Sequence, residues 1–192
     1  MNSKIPEFRE KLQKKLNPGR YEHSLSVAFT CICLAMRYGY PIDQAEVAGM
    51  LHDCAKGYDN DTIIRHCEKK GIEITEDERK APAVLHAKYG AWLAENTYDI
   101  HDQEILDAIA CHTTGKPAMG LLDKILYVAD YIEPRRDKAP NLKEIRKLAF
   151  MDLDLALLKI LEDTLGYLGD SPEEVDSMTR ETYEYYKAQI KD

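Results

Sequence analysis

The 192-residue chain has no excess of positive charge, no paired-cysteine framework and no apolar run of membrane-spanning length, and each absence removes a class of function. Lys and Arg number 26 against 34 Asp and Glu, a formal charge of −8, so no general surface for nucleic-acid backbones is expected. The five cysteines, Cys31, Cys33, Cys54, Cys67 and Cys111, are odd in number and lack CxxC spacing. Neither disulfides nor a thiolate zinc site follows, and they read as small, mostly buried apolar residues. No stretch approaches the ~20 apolar residues that cross a bilayer. Residues 1–15 mix charge and apolar groups without the core of a signal peptide, from which we expect a cytoplasmic protein with no membrane partner. Internal repeats, low-complexity segments and alternating strand patterns are missing too.

What is present suits a self-sufficient globule: 44% apolar and 31% charged residues. Apolar periodicity and punctuation predict helices throughout. An amphipathic start near Glu7 to Leu16 precedes the Asn17-Pro18-Gly19 break, which introduces a helix of about Arg20 to Tyr38 with His23 in its first turn. Pro41 and Asp43 open another that stops near Gly57 and carries His52 and Asp53 in its last turns. Asp59-Asn60-Asp61 caps the next, ending at Gly71. Thr75 and Glu78 have capping-box spacing, and past Pro82 a helix holds His86. Further helices span about Asp102 to His112 and Met119 to Tyr131, the latter terminated by Glu133-Pro134 with Asp130 in its final turn. Two or three more follow, one announced by Ser171-Pro172 with Glu174. The expectation is an all-α single domain over 1–192, with a core at about 18–136 and a C-terminal helical extension at about 141–192.

Four of six histidines and two carboxylates, His23, His52, Asp53, His86, His112 and Asp130, fall on four or five helices, which is how helical bundles assemble metal sites. The adjacent pair His52-Asp53 is the sharpest signal, since an imidazole can bind one divalent ion while the neighbouring carboxylate spans that ion and a second. Alone, this dipeptide is common and carries little; the ordered set carries the argument. Lys56, three residues after Asp53, and Arg20, three before His23, are spaced to reach a phosphate. Against this, a lysine near a helix C-terminus is also favoured by the helix dipole. Arg135, Arg136 and Lys138 could clamp a polyphosphate or be surface charge. Thr113 and Thr114 could offer hydroxyls or simply end a helix. His66 and His101 read as surface and cap residues, Trp92 as core, and Tyr183, Tyr185 and Tyr186 as packing that could also stack on a nucleobase.

The segments RYEHSLSVA, LHDCAK, HAKYGA, AIACHTTG and DKILYVADYIEPRRD resemble the HD-domain superfamily. Within it they resemble the YqeK-like symmetrical dinucleoside tetraphosphatases, over about Arg20 to Arg136. The resemblance implies an HD helical bundle in which His23, His52, Asp53 and Asp130 hold one ion and Asp53 bridges to a second position bounded by His86 and His112. Nitrogen and oxygen donors suit iron, manganese or cobalt, and the resemblance favours iron, with one or two ions. On these grounds together we expect catalysis from Asp53 and Lys56, and substrate contacts from Arg20, His23, Lys56, His86, His112, Thr113, Arg135 and Arg136. The implied reaction is hydrolysis of diadenosine tetraphosphate and related dinucleoside polyphosphates to two nucleoside diphosphates by a metal-activated hydroxide. The alternatives are an HD-type phosphohydrolase of mononucleotides, deoxynucleoside triphosphates or guanosine alarmones, and a non-catalytic nucleotide-binding module. The partner is a small nucleotide, and a homodimer stays open.

Overall fold

The computed structural model describes residues 4–168 and 176–190. Among these, eleven α-helices and one short 3-10 turn occur, and no strand. The helices are α1 (Ile5–Lys15), α2 (Pro18–Tyr38), α3 (Ile42–Leu51), α4 (Asn60–Lys70), α5 (Glu76–Lys80), α6 (Leu85–Tyr98), α7 (Gln103–Cys111), α8 (Leu121–Ile132), α9 (Leu142–Leu148), α10 (Leu153–Leu168) and α11 (Ser177–Ile190). No described helix is long and apolar enough to cross a membrane.

Local chemistry sets most helix starts. Asn17 Oδ1 accepts from the Arg20 amide at 2.9 Å, with Pro18 in the first turn of α2. Asp59 Oδ1 accepts from the Thr62 amide at 2.8 Å to start α4. Thr75 and Glu78 form the expected reciprocal box at α5. Before α8 the Gly120 amide donates to Asp123 Oδ2 at 3.0 Å. Each such cap satisfies an amide that the helix leaves open, typically for about 1 kcal/mol. The Ser171-Pro172 start lies outside the described residues.

The core runs between α2, α3, α6, α7 and α8 and includes the fully buried Leu34, Met50, Leu51, Ile109, Ile125 and Leu126. Each contributes roughly 1.5–3 kcal/mol of burial. Gly49 of α3 is required for this packing, because a Cβ there would lie 2.7 Å from Ala28 Cα on α2. The close α2–α3 crossing brings His52, three residues beyond Gly49, near His23, with ring centroids 5.3 Å apart.

Two local details differ from the sequence reading, and the cysteines agree with it. α3 ends at Leu51, so His52 and Asp53 lie just past it in tightened turns, where Cys54 and Lys56 amides donate to the carbonyls of Leu51 and Asp53. Cys33 is exposed, whereas the other four cysteines are buried as expected, and all five are free thiols. Trp92 is only half-buried at the edge of the core, stacked on Tyr89 at 6.0 Å under the Lys70 ammonium.

The C-terminal helices brace the core. α10 packs on α8, and α11 on α10. From α11, the Tyr186 hydroxyl accepts from the Met119 amide at 2.8 Å, and Thr182 is fully buried against Gly115. This helix therefore holds the loop that follows His112.

Candidate metal centre

Asp53 is the hub of the site and is nearly fully buried. Its Oδ1 lies 3.4 Å from His86 Nε2 and 3.7 Å from His112 Nε2. Its Oδ2 lies 3.7 Å from His52 Nε2, 3.9 Å from His23 Nε2 and 3.2 Å from Arg20 Nη1. Asp130 closes the second group, with Oδ1 3.0 Å from His23 Nε2 and 3.9 Å from His52 Nε2. All six sequence candidates thus converge from α2, the turn after α3, α6, the end of α7 and α8.

The histidine tautomers are fixed by the backbone. His52, His86 and His112 each direct Nδ1 at the carbonyl three residues earlier: Gly49 O at 2.8 Å, Ala83 O at 2.5 Å and Ile109 O at 2.7 Å. A carbonyl only accepts, so Nδ1 carries the proton and Nε2 presents a lone pair to the centre. His52 Nε2 is buried with no hydrogen-bond partner, and His86 Nε2 and His112 Nε2 face each other at 3.1 Å. Buried, unpartnered or mutually opposed lone pairs are costly unless a cation receives them. Two groups have the donor geometry for one: His23, His52 and Asp130, and His52, Asp53 and His112. These imidazole and carboxylate donors fit a divalent ion.

The electrostatics match that chemistry. Burial drives the His52 pKa from 6.5 down to about 4 and lowers His86 as well, keeping both neutral near pH 7. Burial also opposes ionisation of Asp53, but the surrounding His52, His112 and His86 overcome it and hold the carboxyl well below its usual range. Asp130 is likewise lowered against its burial by His23, His52 and Arg136. His23 is the exception: burial lowers it, yet contacts with Asp130 and Glu133 raise it overall.

The remaining candidates divide. Arg20 reaches Asp53 from a half-exposed position, and half-buried Lys56 is lowered by burial beside Asp53 and Arg20. Thr113 Oγ1 lies 3.2 Å from His86 Nε2 and 3.3 Å from His112 Nε2, at the edge of the centre. Thr114 instead donates to the Gly115 carbonyl. Arg136 folds back on α8, with Nη2 3.0 Å from Asp130 Oδ1 and further bonds to its carbonyl. Arg135 is exposed and faces Glu22 at 3.5 Å. His66 bonds the Tyr89 hydroxyl at 2.6 Å and His101 pairs with Asp99, so both stand outside the cluster as expected, although Asp102 and not His101 caps α7.

Glu133 is the residue that sequence reasoning missed. It is buried, with Oε1 3.2 Å from His23 Nδ1 and Oε2 accepting from the Arg135 amide at 2.7 Å. Read as helix punctuation before Pro134, it stands three residues after Asp130, a spacing that places both on one helix face.

A family model described as HD domain matches residues 20–135. A protein of Bacillus subtilis (strain 168), named bis(5'-nucleosyl)-tetraphosphatase, symmetrical, is 38% identical over 91% of this chain and 92% of its own length. A Staphylococcus aureus protein of the same name is 34% identical over 95% and 94%. A crystal structure from Clostridium acetobutylicum, described as a predicted HD superfamily hydrolase involved in NAD metabolism, superposes with a TM-score of 0.92. It is 36% identical, and the match covers 96% of this chain and 97% of that one. With these relatives, this chain belongs to the HD-domain family.

Proposed function

We propose that the protein cleaves diadenosine tetraphosphate and related dinucleoside polyphosphates symmetrically, giving two nucleoside diphosphates. The observation that carries this reading is Asp53, whose two oxygens face two separate pairs of imidazole nitrogens, as a carboxylate shared by two cations would. The relatives named as symmetrical bis(5'-nucleosyl)-tetraphosphatases align along nearly the whole chain and support the substrate.

We assign His23, His52, Asp53 and Asp130 to one ion and His86, His112 and Asp53 to a second. Iron is our choice, with manganese or cobalt as chemically close substitutes. Divalent ions bound there would acidify a water and neutralise charge developing on the phosphates. The chain supplies the rest. Lys56 and Arg20 attract and orient the phosphate chain. Thr113 offers a hydroxyl beside His86 and His112. Glu133 fixes the His23 ring, and Arg136 holds Asp130. The neutral His52 and His86 keep their lone pairs available at neutral pH.

Chromatography of early products tests the reaction. Diadenosine tetraphosphate should give ADP alone, and hydrolysis in isotopically labelled water should place the label on ADP. Equal release of ATP and AMP, or cleavage of mononucleotides only, overturns the proposal.

A further inference from the structure

The turn that leaves α8 carries Glu133, Arg135 and Arg136. Glu133 Oε1 lies 3.2 Å from His23 Nδ1, and Arg136 Nη2 lies 3.0 Å from Asp130 Oδ1. Burial does not set the path of this turn: Glu133 is buried, but Pro134, Arg135, Asp137 and Lys138 are exposed. Its backbone is held instead from α9. There the half-buried Arg146 donates through Nε to the Ile132 carbonyl and through Nη2 to the carbonyls of Glu133 and Arg136, each at 2.8 Å.

The last carbonyls of a helix lack an intrahelical donor and carry the negative end of its dipole, so a cation with several N–H groups suits them. Pro134 has no amide hydrogen to offer and stops α8 there. The Arg136 amide closes the turn on the Glu133 carbonyl at 3.0 Å. A guanidinium is a rigid planar fork, and here one edge of it meets two carbonyls at the helix end and a third from across the turn. An ammonium is a single point and lacks that edge. Ile145, the neighbour of Arg146, is fully buried and seats α9 on the core.

We propose that Arg146 is a positioning residue for the metal centre. By clamping the turn after α8 it aims the Glu133 carboxylate at His23, and so tightens the ion assigned to His23, His52, Asp53 and Asp130. A carboxylate behind a ligand imidazole fixes the ring and raises its basicity only while it stays in line. The proposal rests on that metal assignment and not on the substrate. It ties a second C-terminal helix to the site: α9 fixes the turn after Asp130, as α11 holds the loop after His112.

The test is manganese affinity in the full chain, measured by competition with a calibrated chelator. Arg146→Ala should weaken binding about tenfold, the lower end of the range for groups behind metal ligands. In a Glu133→Ala background the same change should cost little more, because residues acting through one another are not additive. A tenfold loss in both backgrounds, or none in either, overturns the proposal. Tyr38→Phe removes the 2.8 Å bond from the Tyr38 hydroxyl to the Ala149 carbonyl, just past α9, and separates bracing from positioning. Its Tm should fall while manganese affinity holds; an equal loss of metal would reduce Arg146 to a brace of α9. Arg146→Lys keeps the charge at the end of α8 without the fork, and serves also where the alanine variant does not fold. Several-fold weaker manganese binding is expected from it, and full wild-type affinity overturns the clamp. A wild-type chain that binds no divalent ion refutes the metal assignment itself. One that binds manganese whatever stands at position 146 refutes only this proposal.

Discussion

His23 is gripped from both sides by one helix end: its Nδ1 lies 3.2 Å from Glu133 Oε1 and its Nε2 3.0 Å from Asp130 Oδ1. A buried carboxylate behind a ligand imidazole fixes the ring and raises its basicity. Glu133→Ala should therefore weaken metal binding by about 10–100-fold, measured by competition with a calibrated chelator. Glu133→Gln, which keeps an acceptor, should lose less. Unchanged affinity in both variants would make Glu133 only a helix terminator.

Asp53→Ala should abolish activity and lower metal content for both ions, because both of its oxygens are engaged. His66→Ala removes a hydrogen bond to Tyr89 and should leave both properties nearly unchanged. Metal analysis beside a turnover assay separates the two, and equal effects would refute the assigned hub.

Lys56→Ala should keep its metal and lose turnover by roughly 10²–10³-fold, since a cation beside the phosphates acts on developing charge and not on the ions. Loss of metal from the purified variant would make the residue structural.

The pH dependence of the metal-free protein follows from the buried histidines. His52 titrates near 4 in the fold against 6.5 when free, and His86 is lowered in the same sense. A depressed folded pKa means that the unfolded chain binds more protons, so this contribution to stability is complete above about 6.5 and fades as pH falls toward about 4. His23, whose pKa is raised, works in the opposite sense: its contribution is present below about 6.5 and is lost as pH rises through its folded value. His23 contributes no slope below pH 6.5, so the two lowered imidazoles predict a falling Tm between pH 6.5 and 4 after chelation. In His52→Gln that slope should be shallower, and an unaltered slope would contradict the burial argument.

Gly115 links the C-terminal helix to the site. Its φ is +68°, and a Cβ there would lie 2.7 Å from Thr182 Cγ2. Gly115→Ala should cost about 1–3 kcal/mol, or roughly 2–10 °C in Tm. Adding Thr182→Ser removes the clashing methyl and should recover part of the loss, read by thermal denaturation. No recovery would leave backbone strain as the whole effect.

The helices and the donor residues are legible along the chain. Asn17, Asp59, Thr75 and Asp102 announce helix starts because a cap is a contact between residues two or three apart. The donor types are legible for a different reason: an ordered set of imidazoles and carboxylates is chemistry carried by each side chain itself, whatever their distance. How those groups meet depends on packing. Asp53 divides its oxygens between two imidazole groups because α2, α6, α7 and α8 meet around the turn after α3, and the Gly49 approach that permits this crossing has no local signature. Arg136 and Glu133 look like a basic cluster and a stop signal along the chain. In the fold, one guanidinium turns back to Asp130 and one carboxylate turns in to His23. Arg146 carries no local signal either: only the seating of α9 brings its guanidinium to the carbonyls of Ile132 and Glu133. Caps survive translation into one dimension because they are local, and donor types because each belongs to a single side chain. Shared ligands and bracing groups do not, because each is a distance between helices that only packing sets.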